Sequence, residues 1–124
     1  MSTYVVLLPG DENAWEAASA EERAAIFAKH DEFSRALAER GHQVTGGAEL
    51  THSRTTRKVA RADDGAVVVT DGPYAETVEQ LSGFYVVESD DLDDLVQVCA
   101  ILAEPGSAAV EVRAAVDHDG DGEA

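Results

Sequence analysis

A single cysteine, Cys99, leaves no intrachain disulfide to form, and zinc sites built on cysteine pairs are excluded with it. Lysine is almost as scarce. Lys29 and Lys58 are its only occurrences, and 9 basic residues stand against 25 acidic ones for a formal charge of −16. A chain so acidic repels a phosphate backbone except through a local basic patch, so nucleic acid is not an expected partner. The best such patch, Arg54, Arg57, Lys58 and Arg61, is irregularly spaced and suits a small anion or the protein's own carboxylates. No apolar run approaches the roughly 18 residues of a membrane span. The opening Met1-Ser2-Thr3-Tyr4-Val5-Val6-Leu7-Leu8 lacks the basic start and longer apolar stretch of a signal peptide, so a cytoplasmic protein is expected. Phosphate-binding glycine loops, nucleophile elbows and nucleotide fingerprints are missing, and no cofactor is expected. His42, His52 and His118 are not spaced as a ligand set, so no metal is expected either.

What is present suits one domain of 124 residues. Tyr4 to Leu8 is a short apolar run closed by Pro9-Gly10, the pattern of a first strand. Ser19-Ala20-Glu21-Glu22 forms a capping box that opens a helix. Ile26, His30, Phe33 and Leu37 then follow on one stripe, and Gly41 supplies the left-handed stop. Val44 to Leu50 reads as a second strand, with Gly46-Gly47 marking a bulge or a close backbone approach. Asp63-Asp64-Gly65 joins two strand-like runs, Thr55 to Arg61 and Ala66 to Thr70, into a hairpin. Gly83 to Glu88 is a core strand; Ser89-Asp90-Asp91 caps a helix with the stripe Leu92, Leu95, Cys99 and Leu102, stopped by Pro105-Gly106. Ala108 to Ala114 alternates as a last strand.

The order strand, helix, strand, hairpin, strand, helix, strand predicts an α+β fold, a ferredoxin-like sandwich with an inserted β-hairpin. Two helices cover only one face of such a sheet. The other face calls for a partner, most simply a second copy in a homodimer with sheets packed face to face.

Two residues draw attention on chemical grounds. His30 lies on the apolar stripe, where a polar ring must find a partner. It is either a core histidine bonded to a backbone carbonyl or, with a carboxylate beside it, a general acid or base. The run Asp71-Gly72-Pro73-Tyr74-Ala75-Glu76-Thr77 follows the apolar strand Val67 to Val69 and is either a tight strand exit or a site for that carboxylate. Gly72 precedes a proline and is expected to be extended. Candidate substrate contacts are Trp15, in the acidic loop after the first strand, and Gly72, Pro73 and Tyr74. Glu49 and Glu76 are further carboxylates that read as surface or capping residues.

The Asp71 to Thr77 run, continued by Glu79-Gln80-Leu81-Ser82-Gly83-Phe84-Tyr85, resembles the motif of the DGPF proteins, relatives of the YCII group. Tyr74 stands where the name-giving phenylalanine usually stands. The similarity reaches from the opening strand and Trp15 through His30, Phe33, Gly41, Gly46-Gly47 and Leu50 to Val110-Glu111-Val112-Arg113. It implies a YCII-related domain over 1–115, a dimeric α+β barrel, and a His30–Asp71 catalytic pair in a cleft. Residues 116–124 are expected to be a disordered acidic tail. The resemblance supports two functions. One is a cofactor-free lyase or isomerase in which His30 moves a proton on a small organic substrate and Asp71 orients the imidazole. The other is a non-catalytic small-ligand-binding or protein-interaction module accessory to transcription regulation.

Overall fold

The structure, a computed structural model, describes residues 1–73, 75 and 77–118. Strand β1 (Ser2–Asp11) leads into a short helix α1 (Glu12–Ala17) and the long α2 (Ala20–Glu39). Next come β2 (Gln43–Glu49), a 3-10 turn at Ser53–Thr55, and the hairpin strands β3 (Arg57–Arg61) and β4 (Val67–Asp71). The chain closes with β5 (Glu79–Ser89), α3 (Leu92–Cys99), a 3-10 turn at Ala100–Leu102 and β6 (Glu111–Ala114). The main sheet has the order β2-β5-β1-β6 with every pair antiparallel, and β3-β4 form a separate two-stranded sheet. With the hairpin set aside, this α+β arrangement is compatible with a ferredoxin-like fold.

Local chemistry explains the element ends. The Ser19 hydroxyl accepts from the Glu22 amide at 3.0 Å while the Glu22 carboxylate accepts from the Ser19 amide at 2.8 Å. That second bond holds the Glu22 carboxyl below its ordinary range. At the far end Gly41 takes φ +86°, the His42 amide donates to the Leu37 carbonyl at 2.9 Å and the Gly41 amide to Ala38 at 3.3 Å. These are the paired bonds of a Schellman motif. Asp91 caps α3 by accepting from the Asp94 amide. The segment after β1, read from sequence as a loop, is instead α1, capped by the Asp11 carboxylate on the Ala14 amide.

Gly46-Gly47 serves both purposes expected of it. Pairing of β2 with β5 steps from Val44 opposite Val87 to Gly46 opposite Val86, which bulges Thr45 out of the ladder. A Cβ on Gly47 would lie 2.5 Å from the Phe84 carbonyl oxygen. The backbones therefore meet at a distance that only glycine permits.

Val6 and Val87 from the sheet, Phe33 and Leu37 from α2, and Leu95, Val98 and Cys99 from α3 form the core. Burial pushes the Cys99 thiol up to about 11, so it stays protonated. Alternation assigns Tyr4, Val6, Tyr85, Val87 and Val112 to the face toward the helices, and Val5, Leu7, Phe84 and Val86 to the opposite face. Neither α2 nor α3 covers that second face. The two helical stripes are only partly buried: Phe33, Leu37, Leu95 and Cys99 enter the core, whereas Ile26 and Leu92 remain exposed near their helix starts. The expected tail, 116–124, falls outside the described residues from 119 onward.

Candidate functional site

His30 occupies the second position of the α2 stripe, one turn before Phe33, and this brings its ring over β5. Tyr85 rises from β5 on the same side because alternation along the strand places it with Val87. His30 Nδ1 and the Tyr85 hydroxyl meet at 2.6 Å. Phe33, fully buried, packs its ring 5.1 Å from that of Tyr85 and backs the pair with an apolar wall. Burial pulls the His30 pKa below 6.5, partly opposed by the negative charge of Glu49 and then Asp31. The imidazole is therefore largely neutral at pH 7. Burial likewise raises Tyr85, with Asp31 adding to the effect, so the phenol keeps its proton. His30 Nε2 makes no hydrogen bond to any described residue, while the ring is half-buried.

A neutral histidine whose Nδ1 is held by a hydroxyl has two useful states. If the Tyr85 hydroxyl donates to Nδ1, Nε2 carries the proton and is an acid. If Nδ1–H donates to the Tyr85 oxygen, Nε2 presents a lone pair and is a base.

Asp71 stands elsewhere. It closes β4 on the hairpin with its side chain 83% exposed and 3.4 Å from the Arg57 guanidinium. No hydrogen bond or ion pair joins it to His30 among the described residues. Gly72 corrects its expected extended geometry: it adopts φ +102° and donates its amide to the Thr56 carbonyl at 2.8 Å, closing the hairpin root. A glycine has no Cβ to clash with the following proline ring, so the usual restriction before proline is weak there. Pro73 lines an open cavity of about 360 Å³ at that root, beside Leu50, Thr51, Thr56 and Leu81. Tyr74, like Glu76, lies outside the described residues. Trp15 meets Phe27 edge-on at 5.5 Å, and the Arg23 guanidinium lies 5.0 Å from its ring centre while donating to its carbonyl.

Two other histidines have built surroundings. His42 is buried, with Nδ1 at 2.8 Å from the Ser89 hydroxyl and Nε2 at 2.8 Å from the Asp94 carboxylate. Arg40 bonds that same carboxylate and, with His42, holds it at about 2. His52 joins α1 to the segment before the hairpin: its Nε2 meets Asn13 at 2.8 Å, Ser53 bonds Glu12, and Arg54 grips Glu16. Among the described residues no group of His, Cys, Asp or Glu is placed to hold a metal ion, and no described helix is long and apolar enough to cross a membrane.

Residues 2–118 match the YCII-related domain. The chain belongs to the YCII-related family. An uncharacterized protein of Rhizobium meliloti (strain 1021) is 33% identical to it over 112 residues, which span 89% of each chain. In this YCII-related chain, sequence reasoning singled out His30 and missed Tyr85. The available signal was the alternation of β5: a ring with a polar tip, in the row of Gly83 and Val87, opposite a helix whose stripe carries one histidine.

Proposed function

We propose that the protein is a cofactor-free enzyme of the lyase or isomerase type, acting on a small cyclic or conjugated organic molecule, with His30 as its acid and base. What carries this reading is the 2.6 Å bond between Tyr85 and Nδ1 of a neutral imidazole whose Nε2 has no partner among the described residues. In the base tautomer, Nε2 takes a proton from a carbon next to a carbonyl, and the electron pair of the broken C–H bond passes to the carbonyl oxygen as an enolate. The imidazolium then holds Nδ1–H on Tyr85 and returns the Nε2 proton to a different carbon, which is isomerisation, or to a leaving group, which is elimination. Glu49 favours the charged intermediate of the ring, since its negative charge raises the His30 pKa. Asp71 enters as a carboxylate that the hairpin presents, and Trp15, Gly72, Pro73 and Tyr74 enter as substrate contacts. The working form is a homodimer in which a second copy covers the open sheet face.

The test is proton exchange in D2O, followed by proton NMR on a panel of small cyclic ketones, lactones and phenols. Wild type is expected to wash deuterium into at least one of them, and His30→Gln to lose that exchange. Exchange retained in His30→Gln defeats the reading. A binding module accessory to transcription regulation is the second reading, favoured by the uncovered apolar row Val5, Leu7, Phe84 and Val86.

A further inference from the structure

The layer between α2 and the sheet has a gap beside the His30–Tyr85 pair. Residues opposite one another across a ladder share a face, so Leu8, Gly83 and Glu49 form one row on the side toward α2, next to the row of Val6, Tyr85 and Gly47. Gly83 raises no side chain between Leu8 and Glu49, and Gly47 raises none beside Tyr85. Neither position admits one. A Cβ would lie 2.9 Å from the Ala48 carbonyl oxygen at Gly83 and 2.5 Å from the Phe84 carbonyl oxygen at Gly47, so the close approach of β2 to β5 enforces the gap. Above it Ile26, one turn before His30 on the same stripe, is 44% exposed, because the sheet beneath offers it no side chain to pack on.

Charge around the gap has one sign. Glu49 and Asp31 act on the His30 ring, and both are negative. Glu49 forms no hydrogen bond or ion pair with any described residue. The guanidiniums of Arg23, Arg40, Arg54 and Arg57 are taken up by the Trp15 carbonyl, Asp94, Glu16 and Asp71. Lys29 leaves α2 about 100° round from His30, off the stripe. We infer that, given the acid–base role proposed for His30, this gap is its substrate seat and takes an amine-bearing carbonyl compound. The ammonium rests on Glu49, the carbon skeleton lies over Gly83 between Leu8 and Ile26, and the reacting C–H meets His30 Nε2. Glu49 stands two residues along the ladder from the row of Tyr85, about 7 Å, a span that one small ring fills. A substrate carboxylate or phosphate would meet two like charges there and no cation to receive it. When the ammonium neutralises Glu49, Asp31 still supports the imidazolium.

The test is titration of the full chain with benzylamine, benzyl alcohol and benzoate, three probes of similar size that differ in charge, followed by long-range proton–nitrogen NMR of the imidazoles at neutral pH. Benzylammonium is expected to move the His30 resonances and to leave those of His42 in place. It should bind about 5-fold more tightly than benzyl alcohol, the upper worth of an exposed ion pair, and benzoate should bind more weakly than either. Glu49→Gln, an isosteric change at an exposed position, should bring benzylammonium down to the affinity of benzyl alcohol. Benzoate that binds as tightly as benzylammonium, a preference that survives Glu49→Gln, or probes that leave His30 unmoved would each overturn the seat. The seat and the acid–base role fail separately. Charge-selective binding with no deuterium exchange on any amine-bearing ketone keeps Glu49 as a ligand contact and sinks the acid–base role. Exchange that His30→Gln abolishes, together with binding blind to charge, does the reverse.

Discussion

His42 and His30 both place an imidazole in the layer between α2 and the sheet, and their surroundings differ in one decisive respect. His42 is buried with both nitrogens occupied, one by Ser89 and the other by Asp94, which Arg40 also holds. His30 is half-buried with one nitrogen bonded to Tyr85 and the other without a described partner. A ring satisfied on both sides ties elements together; a ring satisfied on one side is oriented and still able to exchange a proton. The same residue type thus serves as a clamp at one end of α2 and as a candidate acid and base nearer its middle.

The largest expected break in this comparison is functional. With any substrate found by deuterium exchange, His30→Gln should lower turnover by about 10²–10⁴-fold, the usual contribution of a positioned acid or base, while unfolding by urea changes little. A loss of stability matching that of a clamp would erase the distinction. Next comes Phe33→Ala, which removes the wall behind the pair and should cost about 3–5 kcal/mol in urea unfolding, as for other fully buried aromatic rings. His42→Ala should cost about 0.5–1.5 kcal/mol, because the bond to the Ser89 hydroxyl is lost while that hydroxyl keeps its bonds with the Asp91 backbone. The deuterium-exchange activity should survive that substitution in the folded fraction.

The smallest effect lies in the pH dependence of stability. The His30 pKa is depressed on folding, so the unfolded chain binds the proton more readily. The stability tied to neutral His30 is fully present above 6.5 and is lost as pH falls through the lower folded value. Urea midpoints measured from about pH 7.5 down to 5 should show this decline in wild type and lack it in His30→Gln. Since the ring is only half-buried, solvent moderates the slope.

Much of the fold was legible because its signals are local. The Ser19 capping box, the Gly41 stop, the Gly46-Gly47 bulge and the Asp63-Asp64-Gly65 turn each depend on residues within a few positions of one another. Helix α1 was not legible, since Glu12–Ala17 is too short to show an apolar period, and its stability rests on the Asp11 cap and on contacts to Ser53 and Arg54 far along the chain. The site was half legible. His30 declared itself by standing on an apolar stripe, but its partner depends on how β5 registers beneath α2, across 55 positions of sequence. Asp71 belongs to a hairpin whose placement no neighbouring residue dictates. Glu49 read as a surface carboxylate, and it is exposed, yet its charge reaches the imidazole because β2 pairs with β5 next to Tyr85.

Long-range proton–nitrogen NMR of the imidazoles across a pH series, in wild type and Tyr85→Phe, tests the central claim most directly. The account predicts that His30 titrates below 6.5, that its Nδ1 resonance moves when the Tyr85 hydroxyl is removed, and that both His42 nitrogens stay where they were. A His30 that titrates above 6.5, or whose nitrogens are indifferent to Tyr85→Phe, would contradict it.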